Sequence, residues 1–212
     1  MGARAAFNRA GAGDALIAAV LDGDFVSVQI LLKKSNAGID APDDTGTPAL
    51  VHALKNEYED IALWLLHRGA NRDLAGAGGE TPLMIACDKL MSGVVEKLVT
   101  QGAALEARDG ALQETALFKA IRAKHAWAAC RLIEAGADAA CTNRKGETPE
   151  DLAQVHLSAE DYGFVSAAIA RQRAAAASAR QAAEEKQTAA RCTLQRDIAP
   201  LKPLCVHRRP HG

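Results

Sequence analysis

The stretch GETPLMIACDKLMSGVVEKLVTQGA, residues 79–103, decides how this chain is read. Thr81 is a residue type that caps helices through its hydroxyl, and Pro82 after it suits a first helical position, where its missing N–H would have no partner. Gly102 stands where a helix must stop, because glycine takes up the left-handed conformation that lets the last carbonyls be satisfied. The residues between divide into two short amphipathic segments. The spacing predicts helices over 82–90 and 93–101 with Leu83, Ala86, Val95, Leu98 and Val99 facing inward.

The same punctuation recurs outward from this stretch. The stops are Asn36-Ala37, Gly69-Ala70, Gly102-Ala103 and Gly136-Ala137, in steps of 33, 33 and 34 residues. The starts are Thr47-Pro48, Thr81-Pro82, Thr115-Ala116 and Thr148-Pro149, the first lying one residue early. An apolar pair precedes each stop: Leu31-Leu32, Leu65-Leu66, Leu98-Val99 and Leu132-Ile133. About ten residues rich in Asp and Gly separate each stop from the next start and read as a finger closed by a tight turn. One such helix pair cannot bury its apolar face alone, so neighbouring pairs must stack.

These motifs resemble ankyrin repeats, most plainly in 79–103 and in GETPEDLA at 146–153. The resemblance implies an all-α ankyrin-repeat solenoid, with helix–turn–helix units joined by β-turn fingers, followed by an extended C-terminal helix and a disordered tail. The expected layout is a disordered N-terminus at 1–13, an array of about five repeats over 14–170 with degenerate first and last units, an exposed Ala-rich helix at 171–192 and a disordered basic tail at 193–212. The histidine common after Thr-Pro-Leu in the family is replaced here by Val51, Met84, Phe118 and Asp151. One extra residue sits in the third full finger, RDGALQETAL at 108–117, where Leu112 stands near the place of the usual glycine.

Composition agrees with a helical array. Apolar residues make up 49% of the 212-residue chain but aromatics only 4%, which favours closely packed Ala, Leu, Ile and Val over a sandwich or barrel. A formal net charge of −1 supplies no global field toward DNA or an anionic membrane. The longest apolar run, 15–21, is far too short to span a bilayer, and 1–13 lacks the apolar region of a signal peptide. The expectation is a monomeric cytoplasmic protein, with the nucleus as the other permitted compartment. Five cysteines without a Cys-x-x-Cys pair, and histidines without helical pairing, argue for free thiols and no metal. No triad, carboxylate pair or phosphate loop can be assembled, so neither catalysis nor a cofactor is expected.

Function then falls to a surface. The resemblance implies that partners bind the finger tips and the open side of each first helix. Carried onto this chain, that surface comprises His52, Lys55, Asn56, Met84, Ile85, Asp88, Lys89, Phe118, Lys119 and Arg122. The tips add Asp43, Asp44, Leu74, Arg108, Asp109, Leu112, Arg144 and Lys145, running from acidic to basic. Met84, Ile85 and Phe118 are the expected apolar anchors, so that Phe118→Ala would weaken binding and leave the fold intact. Trp64 and Trp127 are expected to pack. The chain is thus expected to be a protein-interaction scaffold. The alternative is a substrate-recognition adaptor of an enzyme assembly such as a ubiquitin ligase.

Overall fold

The computed structural model describes residues 12–34 and 38–197, and among these residues the regular structure is helical, with a single isolated bridge between Pro42 and Pro48. Ten helices follow in order: α1 (Ala12–Leu21), α2 (Phe25–Lys34), α3 (Ala49–Lys55), α4 (Glu59–His67), α5 (Pro82–Asp88), α6 (Ser92–Thr100), α7 (Ala116–Arg122), α8 (Ala126–Glu134), α9 (Pro149–His156) and α10 (Ala159–Asp197). The chain divides into two compact units, 1–172 and 173–212. In the first unit the odd-numbered helices α1 to α9 pack side by side in one layer, and α2, α4, α6 and α8 form a second.

Two of the starts form as the residue types dictate, while Thr115 stands at the cap position of α7 without a side-chain cap bond. Thr81 Oγ1 accepts from Met84 N at 3.4 Å, and Thr148 makes a reciprocal capping box with Asp151. Thr47-Pro48 lies one residue early because Pro48, not Thr47, occupies the cap position of α3. Thr47 belongs to the finger, where its N–H donates to Asp43 Oδ1 and its hydroxyl accepts from Thr45.

The second helices stop as expected: Gly102 has φ 75°, with Gly102 N donating to Val99 O and Ala103 N to Leu98 O. The first helices α1, α3, α5 and α7 end in the same doubled bond, and in the last three the sequence carried no glycine signal. Glu57, Leu90 and Lys124 hold φ of 61°, 59° and 61°, where α1 has Gly23. Tyr58 N to Ala53 O at 2.9 Å, Met91 N to Ala86 O at 3.0 Å and His125 N to Ala120 O at 2.8 Å close these turns.

Side chains stitch each repeat to the next. Asp40, Asp73 and Glu106, in steps of 33 residues, accept from the backbone N–H of Asn71, Ala104 and Asp138 at 2.8 Å each. Arg68 reaches Leu32 O, and Gln101 reaches Leu66 O at 3.5 Å, each adding a donor to a carbonyl at the end of the preceding second helix. Arg131 grips Glu96 through two bonds of 2.9 and 2.8 Å.

The core runs through the whole stack. Val51, Met84 and Phe118 share one register of α3, α5 and α7, and Leu54, Cys87 and Ile121 another; all are buried. In α9 the same registers carry Asp151 and Gln154, both exposed, so each stacking column ends in a polar residue.

The expected N-terminal disorder at 1–13 falls outside the described residues, except that 12 and 13 are helical in α1. Likewise the tail expected at 193–212 is helical to Asp197 and otherwise lies outside them, as does the Asn36-Ala37 stop. Helix α10 continues past the boundary drawn at 192 because Leu194, Gln195 and Arg196 keep good helix propensity. Its described side chains from 173 to 187 are exposed.

Candidate functional site

After α1 the first helices are only seven or eight residues long, so their side chains divide sharply between core and solvent. The three proposed anchors fall on the core side. Met84 is 1% exposed, Ile85 5% and Phe118 0%, and all belong to the continuous apolar core. Their positions facing the next repeat are covered by it, which corrects their reading as anchors for a partner. The register that stays open is that of Lys55, Asp88 and Arg122: Lys55 and Asp88 are exposed and Arg122 is about one-third exposed.

Most of the expected charged contacts are already engaged within the protein. His52 Nε2 lies 2.8 Å from Asp43 Oδ2, which also accepts from Thr45 and Thr47 through its other oxygen. The hydrogen bond from Thr45 is the main cause holding the Asp43 carboxyl far below its usual range. Lys119 Nζ sits 2.9 Å from Asp109 and 3.5 Å from Glu80. Burial works most strongly against ionising Asp109, but Lys119 together with the backbone N–H groups of Glu114 and Leu112 outweighs it and keeps the carboxyl below its ordinary value. Arg122 pairs with Glu114, which is wholly buried and also meets Asn143 Nδ2 at 3.4 Å. Lys89 pairs with Glu57 at 2.9 Å.

The finger tips are tied to one another. Arg108 Nη1 donates to Thr142 O at 2.8 Å and Gln113 O at 3.2 Å, and Arg144 Nη1 donates to Ala111 O at 3.3 Å. Arg144 N donates to Leu112 O at 2.9 Å. The extra residue of the third full finger is therefore absorbed by a lengthened turn around Asp109, with Gln113 at φ 57°, and Leu112 is half-buried instead of projecting freely. Leu74 is also half-buried, while Arg108, Arg144 and Lys145 are exposed.

On the second-helix face, Trp64 packs edge-on to Phe25 with ring centroids 6.1 Å apart, as expected of a packing residue. Trp127 does not: it is 44% exposed, lying over His125 at 5.9 Å. His125 is a buried residue whose role the sequence reading missed, and its Nε2 meets Ser92 Oγ across the repeat junction at 3.0 Å. Among the described residues no group of His, Cys, Asp and Glu is placed to hold a metal ion. No helix of the described residues is long and apolar enough to cross a membrane.

Two family descriptions match the sequence of this chain: "Ankyrin repeats (3 copies)" over residues 3–76 and "Ankyrin repeat" over 78–110. The chain belongs to the ankyrin-repeat family. Beyond residue 110 the ankyrin helix pair α7–α8 repeats the same turns in the same phase, with Lys124 and Gly136 at positive φ, whereas α9 ends in an extended Leu157.

Relatives share parts of this ankyrin array. A putative palmitoyltransferase ZDHHC13 of Danio rerio is 31% identical over 61% of this chain and 20% of its own length. The neurogenic locus Notch protein of Drosophila melanogaster is 38% identical over 36% of this chain and 3% of its own length. Protein phosphatase 1 regulatory subunit 27 of Mus musculus is 41% identical over 32% of this chain and 44% of its own length. The chain thus spans less than half the length of each. Repeats of this family generally mediate protein–protein interaction, and a relative named for an enzyme shares the repeats over a fifth of its length.

Proposed function

We propose that this chain is a protein-interaction module whose partner lies along the first helices and finger tips, across Lys55, Asp88 and Arg122 and over Leu74, Arg108, Leu112, Arg144 and Lys145. One observation carries the reading. At a single register, Lys55 and Asp88 are exposed and Arg122, though paired with Glu114, keeps about a third of its side chain open, on helices whose other faces are consumed by stacking. A rigid row of this kind offers many shallow contacts at little ordering cost, since the array is formed before the partner arrives. The likeness to a phosphatase regulatory subunit supports action by docking instead of by chemistry.

Lysine-directed cross-linking of the intact chain with its captured partner tests the reading. The first-helix and finger lysines 55, 89 and 145 should cross-link to the partner, and Lys97 on the second-helix layer should not. Cross-links confined to Lys97 would overturn the assignment of the face.

A further inference from the structure

Resting on that reading, we infer that the third and fourth full fingers form a cationic clasp for an acidic, extended segment of a partner protein. The clasp is built from Arg108, Arg144 and Lys145. All three are exposed, and none of them joins an ion pair among the described residues.

The carboxylates nearest in sequence are spent internally. Asp109 is 2% exposed, with one oxygen accepting from Leu112 N and Glu114 N and the other facing Lys119. Glu114 is buried against Arg122. Glu147 accepts from Asn143 Nδ2 at 2.9 Å. None of these carboxylates forms an ion pair with Arg108, Arg144 or Lys145 among the described residues.

The two guanidinium groups are also held in place. Arg108 spends Nη1 on the carbonyls of Gln113 and Thr142, and Arg144 spends Nη1 on Ala111 O, so each is pinned across the pair of fingers. Their other donors remain for a carboxylate, which a planar fork takes up in a bidentate manner. Lys145 adds a point charge, and its ammonium makes no hydrogen bond among the described residues.

Stacked elements lie roughly 10 Å apart, and an extended chain covers that distance in about three residues. The clasp therefore fits a short run of Asp or Glu. The opposite end of the same edge bears the exposed Asp44, which attracts the basic end of a bipolar peptide and repels a uniformly anionic polymer. This favours an acidic protein segment over nucleic acid.

Fluorescence anisotropy of the full chain with a labelled Glu/Gly peptide, a Gln/Gly control peptide and oligo(dT) tests the inference. The Glu peptide should bind and the Gln peptide should not. Affinity should fall steeply between about 0.1 M and 1 M salt. Lys145→Glu, which removes no side-chain hydrogen bond, should weaken the Glu peptide about tenfold, while Lys97→Glu on the second-helix layer should leave it unchanged. Equal effects of the two reversals, or oligo(dT) binding as tightly as the Glu peptide, would overturn the clasp. Should the partner cross-link through lysines 55 and 89 while Lys145→Glu changes neither its binding nor the peptide's, the clasp fails and the proposed face stands. Partner cross-links confined to Lys97 would instead remove the reading on which the clasp rests.

Discussion

Replacing Leu90 with glycine should make this protein more stable, although it deletes a large apolar side chain. Leu90 sits at the end of α5 with φ 59°, where its neighbours close the helix through Leu90 N to Cys87 O and Met91 N to Ala86 O. A left-handed conformation costs an L-residue about 1–2 kcal/mol. Glycine removes that cost and adds about 0.5–1 kcal/mol of unfolded-state entropy to be overcome. Leu90 is 56% exposed and outside the core, so little packing is lost. The net gain is about 0.5–1 kcal/mol, which for a domain of this size raises Tm by about 1–4 °C. Calorimetry or thermal circular dichroism reads this directly. Leu90→Ala is the control, because its Cβ keeps the backbone cost. A glycine variant no more stable than wild type would refute the argument, and an alanine variant that gains as much would show that solvent exposure, not backbone strain, was being relieved.

Other expectations follow from the same geometry. Phe118→Ala should cost about 3–5 kcal/mol of unfolding free energy by opening a cavity between repeats, and chemical denaturation showing a loss under 1 kcal/mol would contradict its 0% exposure. Ala135 occupies the register of Arg68 and Gln101 but reaches no carbonyl, so Ala135→Gln should add a bond to Val99 O and stabilise by about 0.5–1.5 kcal/mol. A double-mutant comparison with Gln101→Ala in denaturant would check its additivity. Burial holds the His125 imidazole below its ordinary value, so the unfolded chain takes up that proton first as acid is added. Its contribution is therefore present above about pH 6.5 and lost as pH falls toward the folded value. Denaturant midpoints at about pH 7.5 and 5.5 should drop less in His125→Gln than in wild type, and parallel drops would dismiss the mechanism.

The period was legible because its markers act locally. Thr81-Pro82 and Gly102 announce helix ends through backbone chemistry that needs no partner, so they could be read without knowing what lies across the stack. The early Thr47 was a true departure, since the residue serves the finger and Pro48 takes the cap. The helix ends at Glu57, Leu90 and Lys124 were invisible because nothing about those residue types announces a left-handed backbone. The face assignment failed at Met84, Ile85 and Phe118 for a different reason. A helix of two turns buries some positions inside its own repeat and others against the next, and periodicity alone does not separate the second kind from an open face. The pairing of Lys119 with Glu80 and of Arg122 with Glu114 was equally hidden, because it depends on how the fingers fold back over the first helices.

The stitches from Asp40 to Asn71, from Asp73 to Ala104 and from Glu106 to Asp138 each span one junction and no more. Among the described residues no side-chain tie reaches past the adjacent repeat, so tension along the array is borne by a single seam at a time. Such an array yields under force by peeling, unit after unit, and re-forms against whichever neighbour still stands. A partner gripping two adjacent fingers would act as a splint, raising the load at which that seam parts.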